Sequence, residues 1–253
     1  MPVDRRQFLQ RAALVAAGSV AAPAAVEGAP AVRIKAIAFD GLAVFDARPV
    51  FVLAEQLFPG RGTELGNAWR ARQFEYTWLR TVMNRYADFQ QVTGEALVFA
   101  SKMLKLDLTD EKRQRLMQAF QEIKAWPDAP KALEAFRAAG IRMALLSNFT
   151  AAMLDRAVAN SNLEGFFEPH LSTDRVRAFK PDPRAYELGV QAFGLKREEI
   201  AFAAFGGWDA AGARAFGYPT YWVNRLGLPP EELGVTADAT GAHLDGLVNF
   251  VLG

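Results

Sequence analysis

Residues 31–40 read AVRIKAIAFD, and the last five of them, Ala36 to Asp40, are an unbroken apolar run stopped by an acid. A strand covered on both faces is apolar at consecutive positions, so Ala31–Phe39 is predicted to be a buried parallel strand that ends at Asp40. Gly41 and Pro49 follow closely and weigh against the alternative, a short helix.

Downstream of this strand the pattern changes. From about Val50 to Trp126 the chain reads as successive helices. Phe51, Ala54, Leu57 and Phe58 recur at helical spacing, Thr63–Tyr86 and Thr93–Leu104 are amphipathic, and Thr109 before Asp110 and Glu111 is a helix start. A hydroxyl at the N-cap and acids in the first turn satisfy the exposed N–H groups there. From Pro127 strands and helices alternate. Helices are expected at 130–139, 151–160, 184–193, 208–216 and 243–252, with strands at 141–146, 200–205 and 219–223. Gly140 is placed as a helix stop.

That alternation predicts an α/β fold, a doubly wound parallel sheet with right-handed crossovers. Residues 31–47 plus 127–253 make its core, and residues 48–126 are an inserted all-helical cap. Open sheets of this kind bind ligands at the carboxyl ends of their strands, where an insertion after the first strand would cover the site. Asp40 is therefore expected at the centre of an active site.

The 253 residues carry a formal charge of +1, which leaves no electrostatic footprint for nucleic acid. Without cysteine there is no disulfide, thiolate metal site or cysteine nucleophile. The N-terminus pairs Arg5 with Arg6, continues with Phe8-Leu9, and runs through a mildly apolar stretch broken by Gly18 and Pro23. This layout is that of a secretory signal over residues 1–29, and the twin arginine resembles the signal read by the folded-protein (twin-arginine) export machinery. It predicts a periplasmic mature protein of 26 basic and 26 acidic residues, since the segment removes three Arg and two acids. A membrane anchor is disfavoured, because spanning a bilayer needs about 20 unbroken apolar residues.

Four polar signals fall at one edge of the predicted sheet: Asp40, Ser147-Asn148, Lys180 and Asp209. Each alone has a structural explanation as a helix cap, a turn or a loop opening. Their order resembles the four motifs of the haloacid dehalogenase-like superfamily. The words "FPGRG" (58–62), "WRARQFEYTWLR" (69–80), "MNRY" (83–86), "LLSN" (145–148), "FKPDPRAYEL" (179–188) and "WDAAGARAFGYPTYWVNR" (208–225) resemble its 2-haloacid dehalogenases of type II. The resemblance covers nearly everything after the signal.

It implies a hydrolysis without metal or organic cofactor. Asp40 would displace halide from the carbon beside a substrate carboxylate, and water would open the resulting ester to a 2-hydroxy acid. Lys180 would keep Asp40 ionised, since a cation within about 4–6 Å lowers a carboxylate pKa. Ser147 and Asn148 would bind the substrate carboxylate, and Arg70 the substrate and departing halide. Phe74, Phe89 and Trp208 would wall the halide pocket, Tyr186 matches a substrate-site tyrosine, and Asp209 would position Lys180 or the hydrolytic water. The partner implied is a small halocarboxylate, and the resemblance suggests a homodimer.

The chain also departs from the family. The loop DGLAVFD (40–46) is one residue short and lacks the family's threonine, while Ala204 and Gly206 replace a serine and an asparagine. Loss of three polar supports around the site predicts weakened ester hydrolysis or an altered substrate, up to a relative that binds ligand without turnover. The superfamily's magnesium-dependent phosphatases carry an acid two residues after the nucleophile. Leu42 stands there, and a hard cation wants several oxygen ligands.

Overall fold

The computed structural model describes residues 33–253, and the export-signal reading falls on residues outside that range. The first strand, β1 (Ala36–Phe39), is shorter than predicted and wholly buried. Its side chains alternate between two cores: Ile37 and Phe39 pack on one face of the sheet, Ala36 and Ala38 on the other.

Asp40 ends the strand and caps a single turn, α1 (Gly41–Val44), by accepting a bond from the N–H of Leu42. The chain then forms β2 (Phe45–Asp46) and a block of four helices: α2 (Arg48–Leu57), α3 (Gly62–Val82), α4 (Phe89–Met103) and α5 (Asp110–Ala119). Thr109 caps α5 as its sequence predicts, accepting from the N–H of Lys112. The start of α4 lies four residues before the expected Thr93, because Asp88 caps it through the N–H of Gln91. β3 (Lys124–Ala125) pairs antiparallel with β2, so the block begins and ends on one two-stranded ribbon.

The rest alternates: α6 (Ala129–Ala138), β4 (Arg142–Ser147), α7 (Ala151–Asn160), β5 (Leu171–Ser172), α8 (Pro183–Phe193), β6 (Ile200–Ala204), α9 (Gly207–Phe216), β7 (Thr220–Val223), β8 (Ala239–Gly241) and α10 (Leu244–Leu252). Six strands form a sheet in the order β5-β4-β1-β6-β7-β8, with every pairing parallel. The α/β expectation is met. The chain winds leftward from β1 through β4 to β5, then returns on the far side of β1 with β6. That reversal creates a crevice beside β1, where such sheets bind ligands. Phe39 is in register with Leu145 and Ala203, so Asp40 emerges between the ends of β4 and β6. Among the described residues, no helix is long and apolar enough to cross a membrane.

Candidate active site

The carboxyl ends of β1, β4 and β6 supply the acids and amides of the site. The Nζ of Lys180 lies 2.7 Å from Asp40 Oδ1 and 2.7 Å from Asp209 Oδ2. Lys180 and Asp209 are each only 1% exposed, and Asp40 9%. Burial works against the Lys180 charge, but the Asp209 and Asp40 carboxylates outweigh it and raise the lysine pKa. Asp209 moves upward too, to about 6: burial raises it, the lysine opposes, and repulsion from Asp40 adds to the rise. Two buried carboxylates thus share one ammonium, and the Asp209 value has been brought toward neutrality.

Asp40 combines the structural and the chemical reading of an acid at a strand end. One oxygen caps α1 through the N–H of Leu42 at 3.1 Å, while the other holds Lys180. The short loop after it is braced from behind. Trp126 Nε1 donates to Leu42 O, the Trp126 N–H to Val44 O, and Arg225 to Ala43 O. Arg225 in turn is clamped to Asp128 at 3.0 and 3.1 Å. Three bonds from outside thus hold the backbone carbonyls of a loop that has no hydroxyl side chain between Gly41 and Phe45.

Ser147 and Asn148 close β4. Ser147 Oγ accepts from the Phe149 N–H at 3.2 Å, and Gly41 is what lets it approach. A Cβ on Gly41 would lie 2.9 Å from that hydroxyl. Asn148 Oδ1 accepts from the Lys180 N–H at 3.0 Å, which fixes the amide orientation and leaves its NH2 as a donor.

The helical block adds the remaining walls. Along α3, Arg70, Phe74 and Trp78 are spaced by four and share one helix face. Trp69 and Gln73 face α4 instead, donating to Thr93 O at 2.8 Å and to Thr93 Oγ1 at 2.6 Å. Arg70, Phe74 and Phe89 line one cavity together with Asp40, Ser147, Asn148, Trp208 and Asp209. Its volume is about 20 Å³, room for roughly one water. Burial lowers the Arg70 pKa with no acidic neighbour acting on it. Arg70 is a guanidinium on the same cavity as Asp40, with no acidic side chain acting on it.

One residue expected at the substrate stands elsewhere. Tyr186, expected at the substrate, is fully buried behind Asp209 and donates to its Oδ1 at 2.7 Å, so it holds the acid rather than lining the cavity. Lys180 likewise reaches the cavity only through the two acids. Phe149 and Phe205 line the cavity without having been expected there, beside Leu42 and Gly206. Phe205 had a usable signal, since it directly follows β6 at the edge that carries Asp209.

Gly206 has a steric cause. A Cβ there would fall 2.8 Å from Trp208 Nε1, so the indole occupies the space a side chain would need. Trp208 rests on Phe74 and Trp78, with ring centroids 5.2 and 5.5 Å away. Among the described residues, no group of three or more His, Cys, Asp or Glu is arranged to hold a metal.

The same architecture occurs in proteins of known chemistry. The profile of the haloacid dehalogenase-like hydrolases matches residues 34–217. The (S)-2-haloacid dehalogenase of Pseudomonas sp. (strain YL) is 44% identical over 218 residues, covering 86% of this chain and 94% of its own. A solved L-2-haloacid dehalogenase superposes with a TM-score of 0.85 at 38% identity, covering 87% of this chain and all of its own. The L-2-haloacid dehalogenase of Xanthobacter autotrophicus, solved with chloropropionic acid covalently bound, gives a TM-score of 0.79 at 33% identity over 87% and 99% of the two chains. A profile that spans residues 34–217 and relatives 33–44% identical over nearly nine-tenths of the sequence agree, and the chain belongs to the 2-haloacid dehalogenase family of the haloacid dehalogenase-like hydrolases.

Proposed function

We propose that this chain hydrolyses short 2-haloalkanoic acids, the (S)-enantiomers where C2 is chiral, to 2-hydroxy acids. The observation that carries the reading is the pairing of charges across one cavity. The Asp40 carboxyl is held 2.7 Å from Lys180 Nζ, and Arg70 is a half-buried cation with no acidic side chain acting on it. A halocarboxylate supplies that cation with an anion twice, as its carboxylate and as its departing halide.

In the first step an Asp40 oxygen attacks C2 and the carbon–halogen electron pair leaves as halide. Ser147 Oγ and the Asn148 NH2 are the donors for the substrate carboxylate, and Phe74, Phe89 and Trp208 keep water from the halide side. In the second step water adds to the carbonyl carbon of the Asp40 ester. Its proton passes to Asp209, whose pKa of about 6 suits a base at neutral pH, and the 2-hydroxy acid departs with the oxygen that attacked C2. The helical block serves as the cap of this site.

One turnover in 18O-labelled water should therefore place the label in the peptide containing Asp40 and not in the product. Label found only in the hydroxy acid would mean direct displacement by water and sink the ester route. Asp40→Asn should release no halide.

Two further features belong to this reading. Export across the inner membrane to the periplasm is supported by Arg5-Arg6, by the apolar run that follows, and by a family match that begins only at residue 34. Cell fractionation tests it, and replacing both arginines with lysine should retain the protein inside. A homodimer is supported by Leu79, Val82 and Met83, which expose apolar surface at the end of α3. Light scattering at the monomer mass would remove it.

A further inference from the structure

Ser172 is buried outside the cavity that contains Asp40. It stands in register with Ser147, at the last pair of the two-residue strand β5. There the ladder between β4 and β5 ends, and the chain that follows Ser147, Asn148 to Thr150, turns away into α7. Its buried backbone groups need partners from outside the ladder.

Ser172 supplies one from its side chain. Its Oγ donates to Phe149 O at 2.7 Å and accepts the Asp174 N–H at 3.2 Å. A carbonyl can only accept, so the hydroxyl proton lies on the Phe149 side. Phe149 in turn donates its N–H to Ser147 Oγ at 3.2 Å. That bond occupies a lone pair of Ser147 and leaves its own proton for a substrate oxygen. Phe149 also lines the cavity, and its ring packs on Phe89 of the helical block with centroids 5.2 Å apart.

The chain of bonds continues outward. Asp174 Oδ1 accepts from the hydroxyl of Tyr86, which lies in the helical block between α3 and α4. From that block to the reaction cavity the order is Tyr86, Asp174, Ser172, Phe149 and Ser147, each joined to the next by a hydrogen bond. A cap alone does not account for the serine. Ser172 does cap the turn Thr173–Arg175, but capping uses a lone pair, and Asp or Asn would serve as well. The donated bond to a buried carbonyl is what needs the hydroxyl proton.

We propose that Ser172 is a positioning residue for the substrate carboxylate. It fixes Phe149, Phe149 fixes the Ser147 hydroxyl, and Tyr86 ties that hydroxyl to the seating of the helical block through Asp174. Small misplacement of a group that orients substrate is costly to rate even when its cause lies away from the chemistry. The proposal rests on the dehalogenase reading, in which Ser147 binds the carboxylate, and adds the residues that aim that serine.

Two measurements on the purified protein test it: kcat/KM for chloride release from (S)-2-chloropropionate, and the calorimetric Kd of propionate, which has the carboxylate and no halogen. Ser172→Ala should worsen both about tenfold, as when one hydrogen bond to a charged group fails. In a Ser147→Ala background the same change should alter the Kd less than about twofold, because the group it aims is gone. Losses that multiply across this cycle overturn the proposal, since a role in stability alone would act equally in both backgrounds. So does a Ser172→Ala variant with the parent's kcat/KM and Kd. Tyr86→Phe keeps the ring that stacks on Phe179 and loses the hydroxyl, so it reads the outer end of the chain with the buried serine intact, and it decides the matter if Ser172→Ala does not fold. It should raise the propionate Kd about threefold, the worth of a modest hydrogen bond. An unchanged Kd there overturns the tie to the helical block. A parent that binds propionate without releasing chloride fails the dehalogenase reading alone, and the Kd cycle still decides the proposal. A parent that does neither removes both.

Discussion

The hydroxyl of Tyr186 donates to Asp209 Oδ1 at 2.7 Å, from a position with no exposure to solvent. Burial, with the Asp209 charge second, raises the tyrosine pKa well above its ordinary value, so this group stays a donor. Its bond favours the ionised form of Asp209 and therefore opposes the burial that pushes that acid up to about 6.

Tyr186→Phe removes a hydrogen bond to a charged group, worth about 1.5–3 kcal/mol. The Asp209 pKa should rise further, by roughly one to two units at 1.36 kcal/mol each. In the parent, ester hydrolysis should fail in acid, when Asp209 takes up a proton, at a pH below the value of about 6 in the free enzyme because an esterified Asp40 no longer repels it. In the variant that acid limb should move toward alkaline pH while halide release in the first turnover is little changed. Profiles of kcat against pH, with rapid-quench halide measurements, read both. An unmoved limb would mean that Asp209 is not the titrating group.

The absent polar side chains should make the second step the slow one. Ala204 and Gly206 offer no hydroxyl or amide to a water, and the loop after Asp40 is held only through its carbonyls. A stoichiometric burst of halide should precede the steady rate, and intact-protein mass spectrometry of quenched samples should find the ester on Asp40. Linear release from the first turnover, with no adduct, would show that hydrolysis keeps pace with alkylation.

Reinstating the amide by Gly206→Asn should harm the enzyme. The new Cβ meets the Trp208 indole at 2.8 Å, and overpacking of this kind costs about 1–3 kcal/mol. Trp208→Phe withdraws the clashing nitrogen, so the double variant should be less damaged than the two single effects summed. Thermal melts and kcat/KM across the double-mutant cycle measure the coupling. Additive losses would mean the two residues do not compete for space.

Arg225→Met tests the brace behind the nucleophile. The side chain is 3% exposed and bonded to both oxygens of Asp128, so its removal should cost about 3–5 kcal/mol. Ala43 O also loses its donor, which should lower kcat more than it changes KM. Burial would raise the Asp128 pKa, but the Leu244 N–H and Arg225 prevail and hold it below the ordinary 3.8. A carboxylate with a depressed pKa stabilises the fold above its unfolded value and loses that contribution as pH falls through its folded one. The melting gap between parent and variant should accordingly be widest at neutral pH and narrow in acid.

The sequence revealed those elements whose cause is local. The apolar run before Asp40, the Thr109 cap and the stop at Gly140 (φ +74°) each act through neighbouring residues, and each is found. Strands of two or three residues, such as Leu171–Ser172 and Ala239–Gly241, are too short to carry a period and exist because a longer neighbour offers them an edge. Within the site, Asp40, Lys180 and Asp209 were legible through their order along the chain. The position of Tyr186 behind Asp209 was not, since nothing nearby in sequence says which side of an acid a tyrosine takes. Phe205 and Phe149 escaped notice because apolar residues at a strand end usually mean core.

The amides of two adjacent residues are divided between the layers of the molecule. Asn148 on the sheet side accepts the N–H of Lys180, while Thr81 on α3 accepts the N–H of Phe179 at 3.0 Å. Tyr86, which donates to Asp174 and stacks on Phe179, adds a second tie from the same side. The helical insertion is consequently no interchangeable module. A chimera whose grafted block over residues 48–126 lacked Thr81 and Tyr86 would leave a buried amide without an acceptor one peptide from the ammonium. To transplant such a block is to rebuild the loop that carries the lysine.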